Sequence, residues 1–251
     1  MEHKVKEKSG LVVGRNPVME ALKSGRNIEY ILVSDSKPTG SLIPIIAKAK
    51  ELKIDVRKTT REKLDYISEK TPHQGVIAIG CAKNYCQTED ILNLANQKNE
   101  PPFIIISDGI EDPHNLGAII RTSECAGVHG IIIPKRRAVG LTFSVEKASA
   151  GALEHILVAK EVNIAATIDK LKNHNIWVYG ADSSGETWCH QSLSGPIALV
   201  LGAEGKGISN IVKKKCDGLI SLPMLGKISS LNVSVASAII IYEVLRQRLN
   251  L

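Results

Sequence analysis

No apolar run in this chain approaches the roughly 20 residues that a membrane-crossing helix needs. The first residues, Met1 to Gly10, are charged and contain no apolar stretch, so no secretory signal is expected in them. Cysteine is scarce, 5 in 251 residues, an odd number with no CxxC pair. The expectation is reduced thiols in a cytoplasmic protein, with neither a metal site nor a disulfide framework. Glycine fingerprints are missing too. Gly202, Gly205 and Gly207 do not space as GxGxxG, and Ile208 follows Gly207 where a phosphate-binding loop would carry lysine. A dinucleotide oxidoreductase and a nucleotide-phosphate loop are therefore disfavoured. The stretch DGIEDPHNLGAIIRTSECAGV, Asp108 to Val128, holds an Asn and an Arg but no Ser, Cys or Lys in a recognisable nucleophile setting.

What is present fits a globular protein: 43% hydrophobic and 23% charged residues, with a net charge of +6. The charge is uneven, because residues 1–82 carry 15 Lys and Arg against 10 Asp and Glu. A basic first third suits a polyanionic partner, or is simply a lysine-rich surface. The first third alternates strand-like segments (28–33, 54–58, 76–79) with a helix over 42–52. Asn16-Pro17 reads as an N-cap and first helical residue of a short helix ending at Leu22. Residues 83–101 are polar, contain a helix near 89–96 and end in Asn-Glu-Pro-Pro, so they read as a joint. From Phe103 strands are expected at 103–107, 130–133, 155–159, 176–180, 197–201 and 218–222. Helices are expected at 114–126, 144–151, 163–173, 208–215 and 231–248. The organisation is a first domain over 1–82, a linker over 83–101, and a larger domain over 102–251. The fold class is α/β, with a mainly parallel sheet in the larger domain.

Three stretches follow strand ends, where open α/β sheets bind ligands. They are DPHNLGAIIRT, then LVLGAEGKGIS, then ISLPMLGKISSLNVSVASAIIIYE. Closely spaced glycines let backbone approach a flat ligand, or merely make a tight turn. Ser229, Ser230 and Asn232 are more capping-type residues than one helix start requires. Asn115 and Arg121 are six apart and share a face only if Asn115 lies in the loop or cap before the helix.

Together, and in this order, the three stretches resemble the motifs of the SpoU (TrmH-type) family of RNA ribose 2′-O-methyltransferases. The likeness spans 103–248. VVGRNPVMEAL (12–22) and HQGVIA (73–78) further resemble the RNA-binding extension of the family's ribosomal RNA branch. The resemblance implies an α/β trefoil-knot methyltransferase domain behind a smaller α/β RNA-binding domain. It also implies S-adenosylmethionine as cofactor, no metal, and a homodimer whose active site draws on both subunits. The substrate implied is a ribose, of guanosine, in large-subunit ribosomal RNA; the alternatives are a transfer RNA ribose 2′-O-methyltransferase and a catalytically inactive RNA-binding relative. Asn115, Arg121, Glu204, Ser230 and Asn232 would surround the reacting ribose. Gly202, Leu222, Met224 and Leu231 would hold the cofactor, and Arg15, Asn16 and His73 would bind RNA. The nucleophile would be the substrate's own 2′-hydroxyl. Arg121 would act as general base or as charge stabiliser; a guanidinium is almost always protonated, which weighs against the former. Lys135-Arg136-Arg137 is either a solvated loop or a grip on phosphates.

Overall fold

The computed structural model describes residues 10–36, 40–68 and 71–251. The charged start of the chain read above lies, Gly10 apart, outside them. The chain divides into two compact units. One runs to Asn84 and includes Leu141–Phe143; the other comprises Tyr85–Gly140 and Ser144–Leu251.

The first unit has strands β1 (Leu11–Val13), β2 (Ile28–Ser34), β3 (Asp55–Thr59) and β4 (Val76–Gly80), with helices α1 (Arg15–Lys23), α2 (Leu42–Glu51) and α3 (Arg61–Ile67). Its sheet is mixed, in the order β1-β4-β2-β3, with only the β2–β3 pair parallel. Apolar alternation along the strands builds two cores. Ile31, Val33, Val76 and Ala78 pack with Val18, Leu22 and Ile45 of α1 and α2. Leu32, Ile77 and Ile79 pack with Leu64 of α3.

Helix α1 corrects one expectation: Asn16 is not its cap. The helix opens at Arg15, and Gly14 holds the cap position at φ 98° with no side-chain bond. The Gly14 carbonyl accepts the Val18 N–H at 3.1 Å. A positive φ that glycine adopts freely turns the chain directly out of β1, so no side-chain cap is needed.

The second unit carries β5 (Phe103–Asp108), β6 (Gly130–Pro134), β7 (Leu157–Glu161), β8 (Trp177–Thr187), β9 (Ile197–Gly202) and β10 (Gly218–Ser221). Its helices are α4 (Thr88–Lys98), α5 (Pro113–Cys125), α6 (Phe143–Ala148), α7 (Ile164–Asn173), α8 (Asn210–Lys213) and α9 (Val233–Arg248). All strand pairs are parallel, in the order β10-β8-β9-β5-β6-β7. Ile104, Ile106, Ile132, Val178 and Val200 pack against Ile91 of α4, Ile168 and Leu171 of α7 and Val212 of α8. Strand residues between these in register face the other way, toward the side where α9 packs on β9 and α5.

The expected joint over 83–101 is corrected from Tyr85 onward. These residues belong to the second unit, and Ile91 and Ala95 of α4 are fully buried. Ile91 lies over Gly130 so closely that a Cβ there would sit 2.5 Å from its side chain. Strand β8 runs past Gly180 because β10 pairs with both its halves: Leu219 opposes Gly180, and Ile220 opposes Glu186 across a register shift. Helix α8 is shorter than expected, and α9 starts at Val233 rather than Leu231. None of the helices, among the described residues, is long and apolar enough to cross a membrane.

The strand order sets the site. From β5 the chain moves outward to β6 and β7, then crosses to β8, and β9 inserts between β8 and β5. The loops leaving β5 and β9 therefore flank a topological switch point, where crevices open at strand C-termini.

Candidate active site

Asp108 and Gly202 end β5 and β9 opposite each other in register. The Asp108 carboxylate accepts the Ser209 N–H at 2.7 Å, which fastens the glycine loop to β5. The loop folds back on itself through two backbone bonds, Ala203 N–H to Gly207 O at 3.1 Å and Gly207 N–H to Ala203 O at 2.8 Å. A Cβ on Gly202 would lie 2.2 Å from the Gly207 carbonyl carbon and 2.3 Å from the Ile208 nitrogen. Glycine at 202 is thus required by the loop's own return.

The first motif opens α5. Asp112 is the cap, accepting the His114 N–H at 3.0 Å, and Pro113 occupies the first helical position. Asn115 is buried in the first turn. The third motif opens α9, and of its three capping-type residues Asn232 is the cap. Its Oδ1 accepts the Ser234 N–H at 2.9 Å and the Ser234 Oγ–H at 2.6 Å. That fixes the amide orientation, since only the oxygen can accept. The Nδ2 group then donates to Asn115 Oδ1 at 3.0 Å and to Glu204 Oε1 at 2.6 Å. One residue from each motif meets at this point. With Asn115 Oδ1 accepting, its NH2 group remains a donor for a ligand, and Glu204 keeps a second carboxylate oxygen.

Two residues of this arrangement carried no functional reading in the sequence. Ser234 locks the Asn232 amide, and Asp108 anchors the glycine loop. Asn followed two positions later by Ser is a recognisable capping pattern, which is the signal for the first. A strand-terminal Asp gives only a weak one.

Other expected site residues fall elsewhere. The condition for Asn115 and Arg121 to share a face is not met, because Asn115 is inside the helix. Six residues turn it about 240° and advance it about 9 Å. Asn115 is buried and Arg121 exposed, so within one chain the two do not converge on one face. Ser230 is exposed in the loop before α9, outside the Asn232 hydrogen-bond cluster. Leu222 is half-buried just after β10, and Met224 and Leu231 are 36% and 42% exposed along the loop that leads to α9.

In the first unit, Arg15 and Asn16 stand at the start of α1. The Arg15 Nε donates to Gln74 O at 2.9 Å and its N–H to Gln74 Oε1 at 3.2 Å. Asn16 is exposed. His73, expected to contact RNA, is turned inward. It is 4% exposed, its Nδ1 accepts the Gly75 N–H at 2.9 Å, and its Nε2–H faces Asp65 Oδ1 at 3.0 Å. Both ring nitrogens are used in holding the 72–76 loop to α3.

Among the described residues no cluster of three or more His, Cys, Asp or Glu could hold a metal ion, and all five cysteines are free.

Residues 11–86 match a family described as the RNA 2′-O ribose methyltransferase substrate-binding domain. YacO of Bacillus subtilis, named for the TrmH family of tRNA/rRNA methyltransferases, is 47% identical over 94% of this chain and 95% of its own. The SpoU methyltransferase AviRb of Streptomyces viridochromogenes, solved with AdoMet, shares the fold at a TM-score of 0.61, 23% identity, 96% of this chain and 90% of its own. The TrmH/SpoU tRNA-modifying enzyme of A. aeolicus aligns at a TM-score of 0.55 and 26% identity over 64% of this chain and 84% of its own. Residues 102–242, which hold all three motifs but for the final Glu243, match the SpoU rRNA methylase family, and the chain belongs to that family of RNA methyltransferases.

Proposed function

We propose that this chain transfers the methyl group of S-adenosylmethionine to the 2′-oxygen of a guanosine ribose in large-subunit ribosomal RNA, as a cytoplasmic homodimer. The carrying observation is the Asn115–Asn232–Glu204 cluster, which gathers the three motifs at the sheet's switch point.

The chain's residues fit the cofactor. Between β10 and α9, Met224, Leu225, Ile228 and Leu231 present apolar side chains to solvent, available to a flat purine. Gly205 and Gly207, with nothing within 4 Å of where a Cβ would sit, leave the loop's backbone open to a ligand. When bound, S-adenosylmethionine supplies a methyl already activated on a positive sulfur, so the protein needs no nucleophile. That methyl would pass to the ribose 2′-oxygen, the sulfur keeping the electrons of the broken bond, and this chain would have to receive the 2′-proton. Asn115 donates to and orients the ribose. Glu204, held by Asn232, takes or relays the proton. Arg121 stabilises the developing negative charge, reaching the ribose from the partner subunit. Support for that last step is the separation of Arg121 from Asn115 within one chain.

Dimerisation is supported by α9, whose exposed Val235, Ile239 and Tyr242 recur at helical spacing on one side. Ribosomal RNA is favoured over transfer RNA by the tRNA-modifying neighbour, which aligns with only 64% of the chain. The return of β10 to the outer edge after β9 has inserted supports the trefoil knot.

The test is methyl transfer from labelled S-adenosylmethionine to transcripts of large-subunit ribosomal RNA and of transfer RNA, with mapping of 2′-O-methyl positions. Label on neither transcript, from protein shown to bind the cofactor, would overturn the reading. Label on transfer RNA alone would reassign the substrate.

A further inference from the structure

Resting on that function, the geometry points to a further RNA contact: the loop after β6, carrying Lys135, Arg136 and Arg137, grips backbone phosphates of the RNA beside the target ribose. All three side chains are exposed, and none has a hydrogen-bond or ion-pair partner among the described residues. Two backbone bonds hold the loop at the sheet's ligand-binding edge: Lys135 N–H to Glu161 O at 2.8 Å and Val139 N–H to Ile110 O at 2.9 Å. Gly109 measures how near this lies to the site. A Cβ built on it would be 3.6 Å from Arg137 O and 3.7 Å from Ala203 Cβ. The basic loop and the glycine loop therefore flank the turn that leads from Asp108 into the Asn115 helix. On the glycine-loop side, exposed Lys206 adds a fourth cation.

The acidic groups nearby keep their charge but form no ion pair with these cations among the described residues, being held instead, Glu111 apart, by neutral donors. The Asp112 carboxylate caps α5, Glu161 accepts the Thr88 hydroxyl at 2.6 Å, and Glu204 is bound to Asn232. Glu111 alone of these is exposed without a bond among the described residues. Arg137 adopts φ 57°, a conformation uncommon for a residue with a side chain. A single cofactor carboxylate would not need three adjacent cations; a strand bearing one charge per nucleotide would use them all. The contact reads no bases, so it would fix the strand's position rather than its sequence.

The experiment compares the intact protein with the Lys135→Gln, Arg136→Gln, Arg137→Gln triple variant. It uses whichever transcript the intact protein methylates, across a salt series. The expected result is a rise of about tenfold or more in KM for RNA and a plot of log affinity against log salt shallower by about 2, near 0.7 for each lost phosphate contact. Cofactor affinity by calorimetry and the melting temperature should stay unchanged. Arg136→Lys with Arg137→Lys should retain the slope, since phosphate is held there by charge. Should the triple variant fold poorly, Arg136→Gln alone is measured, with a slope change of about 0.7 expected. Unchanged KM and slope in a folded variant would overturn the contact while leaving the methyltransferase reading intact. Lost cofactor affinity with unchanged RNA binding would assign the loop to the cofactor instead. If the intact protein methylates no RNA, the underlying function fails, and this proposal with it.

Discussion

The Asn232 amide nitrogen donates to Asn115 Oδ1 at 3.0 Å, joining positions 117 residues apart, while the oxygen of the same amide caps α9. A single side chain thus ends a helix and assembles the site. The two roles separate chemically. Asn232→Asp keeps an acceptor for the Ser234 N–H but loses the donors to Asn115 and Glu204, and it sets a second carboxylate beside Glu204. The expected outcome is a melting temperature near wild type with turnover lowered at least about 10²-fold. Asn232→Ala should lose the activity and, in addition, about 1 kcal/mol of stability from the missing cap. Equal stability loss in both variants would show that the cap and the cluster cannot be separated.

Gly202→Ala should harm the glycine loop before it harms any ligand contact. The added Cβ meets backbone at 2.2 Å, and backbone cannot swing aside as a flexible side chain does. The loop must open, at a cost of about 1–3 kcal/mol typical of overpacking. Calorimetry should show S-adenosylmethionine affinity reduced at least tenfold and thermal unfolding a lower melting temperature. Gly205→Ala is the control, because nothing lies within 4 Å of its Cβ and only its φ of 73° is strained. It should cost about 1 kcal/mol and leave affinity less affected.

Much of this was legible in the sequence, for a physical reason. Parallel strands buried on both faces read as unbroken apolar runs, and Phe103–Ile106, Ile131–Ile133 and Ile197–Leu201 do so. Strand β1, three residues long, and helix α3, with Leu64 as its only buried residue, carry too little pattern to stand out. The polarity of 83–101 hid Ile91 and Ala95, because one buried stripe suffices for a helix lying on a sheet. At the site, residue types and capping chemistry were readable. Which of Ser229, Ser230 and Asn232 would cap was not, nor was the meeting of Asn232 with Asn115 and Glu204. Those depend on how strand order folds distant loops together.

His129 should make the second unit acid-sensitive. It is 1% exposed; its Nδ1 accepts the Phe103 N–H at 3.0 Å and its Nε2–H faces Glu100 Oε2 at 3.0 Å. Burial pushes its pKa below the ordinary 6.5, outweighing the opposing pull of Glu100. The fold therefore favours the neutral ring. Its contribution is fully present above the unfolded value and fades as pH falls through the lowered folded value. Melting temperatures of wild type and His129→Gln should differ most above pH 6.5 and converge below it. A gap that widens on acidification would mean the charged ring is the stabilising form.

Removing the first unit should separate RNA capture from cofactor binding. A fragment beginning at Tyr85 keeps α4 and its buried Ile91, which a cut at residue 102 would lose. It should bind S-adenosylmethionine as the whole chain does and bind ribosomal RNA more weakly. The RNA affinity of the whole chain should fall with added salt as phosphate contacts release counterions. Equal methylation of full-length ribosomal RNA by fragment and whole chain would show that the basic first third captures nothing.

Arg121 tests whether the site is shared between subunits. It is exposed, about 9 Å along α5 from Asn115 and on another side of the helix. Arg121→Ala should leave cofactor affinity nearly unchanged and lower turnover at least about 10²-fold. Arg121→Lys retains charge but loses the planar fork that can hold a phosphate and a hydroxyl together. Substantial rescue by lysine would favour simple charge stabilisation; none would favour the fork. Mixing Arg121→Ala with Asn232→Asp protein then reads the architecture. If Arg121 of one chain serves the Asn232 cluster of the other, each hybrid dimer has one doubly damaged site and one intact site. The mixture should regain up to about half the wild-type activity per hybrid dimer. No recovery, with hybrids verified by mass spectrometry, would place both residues in one chain's site or couple the two sites.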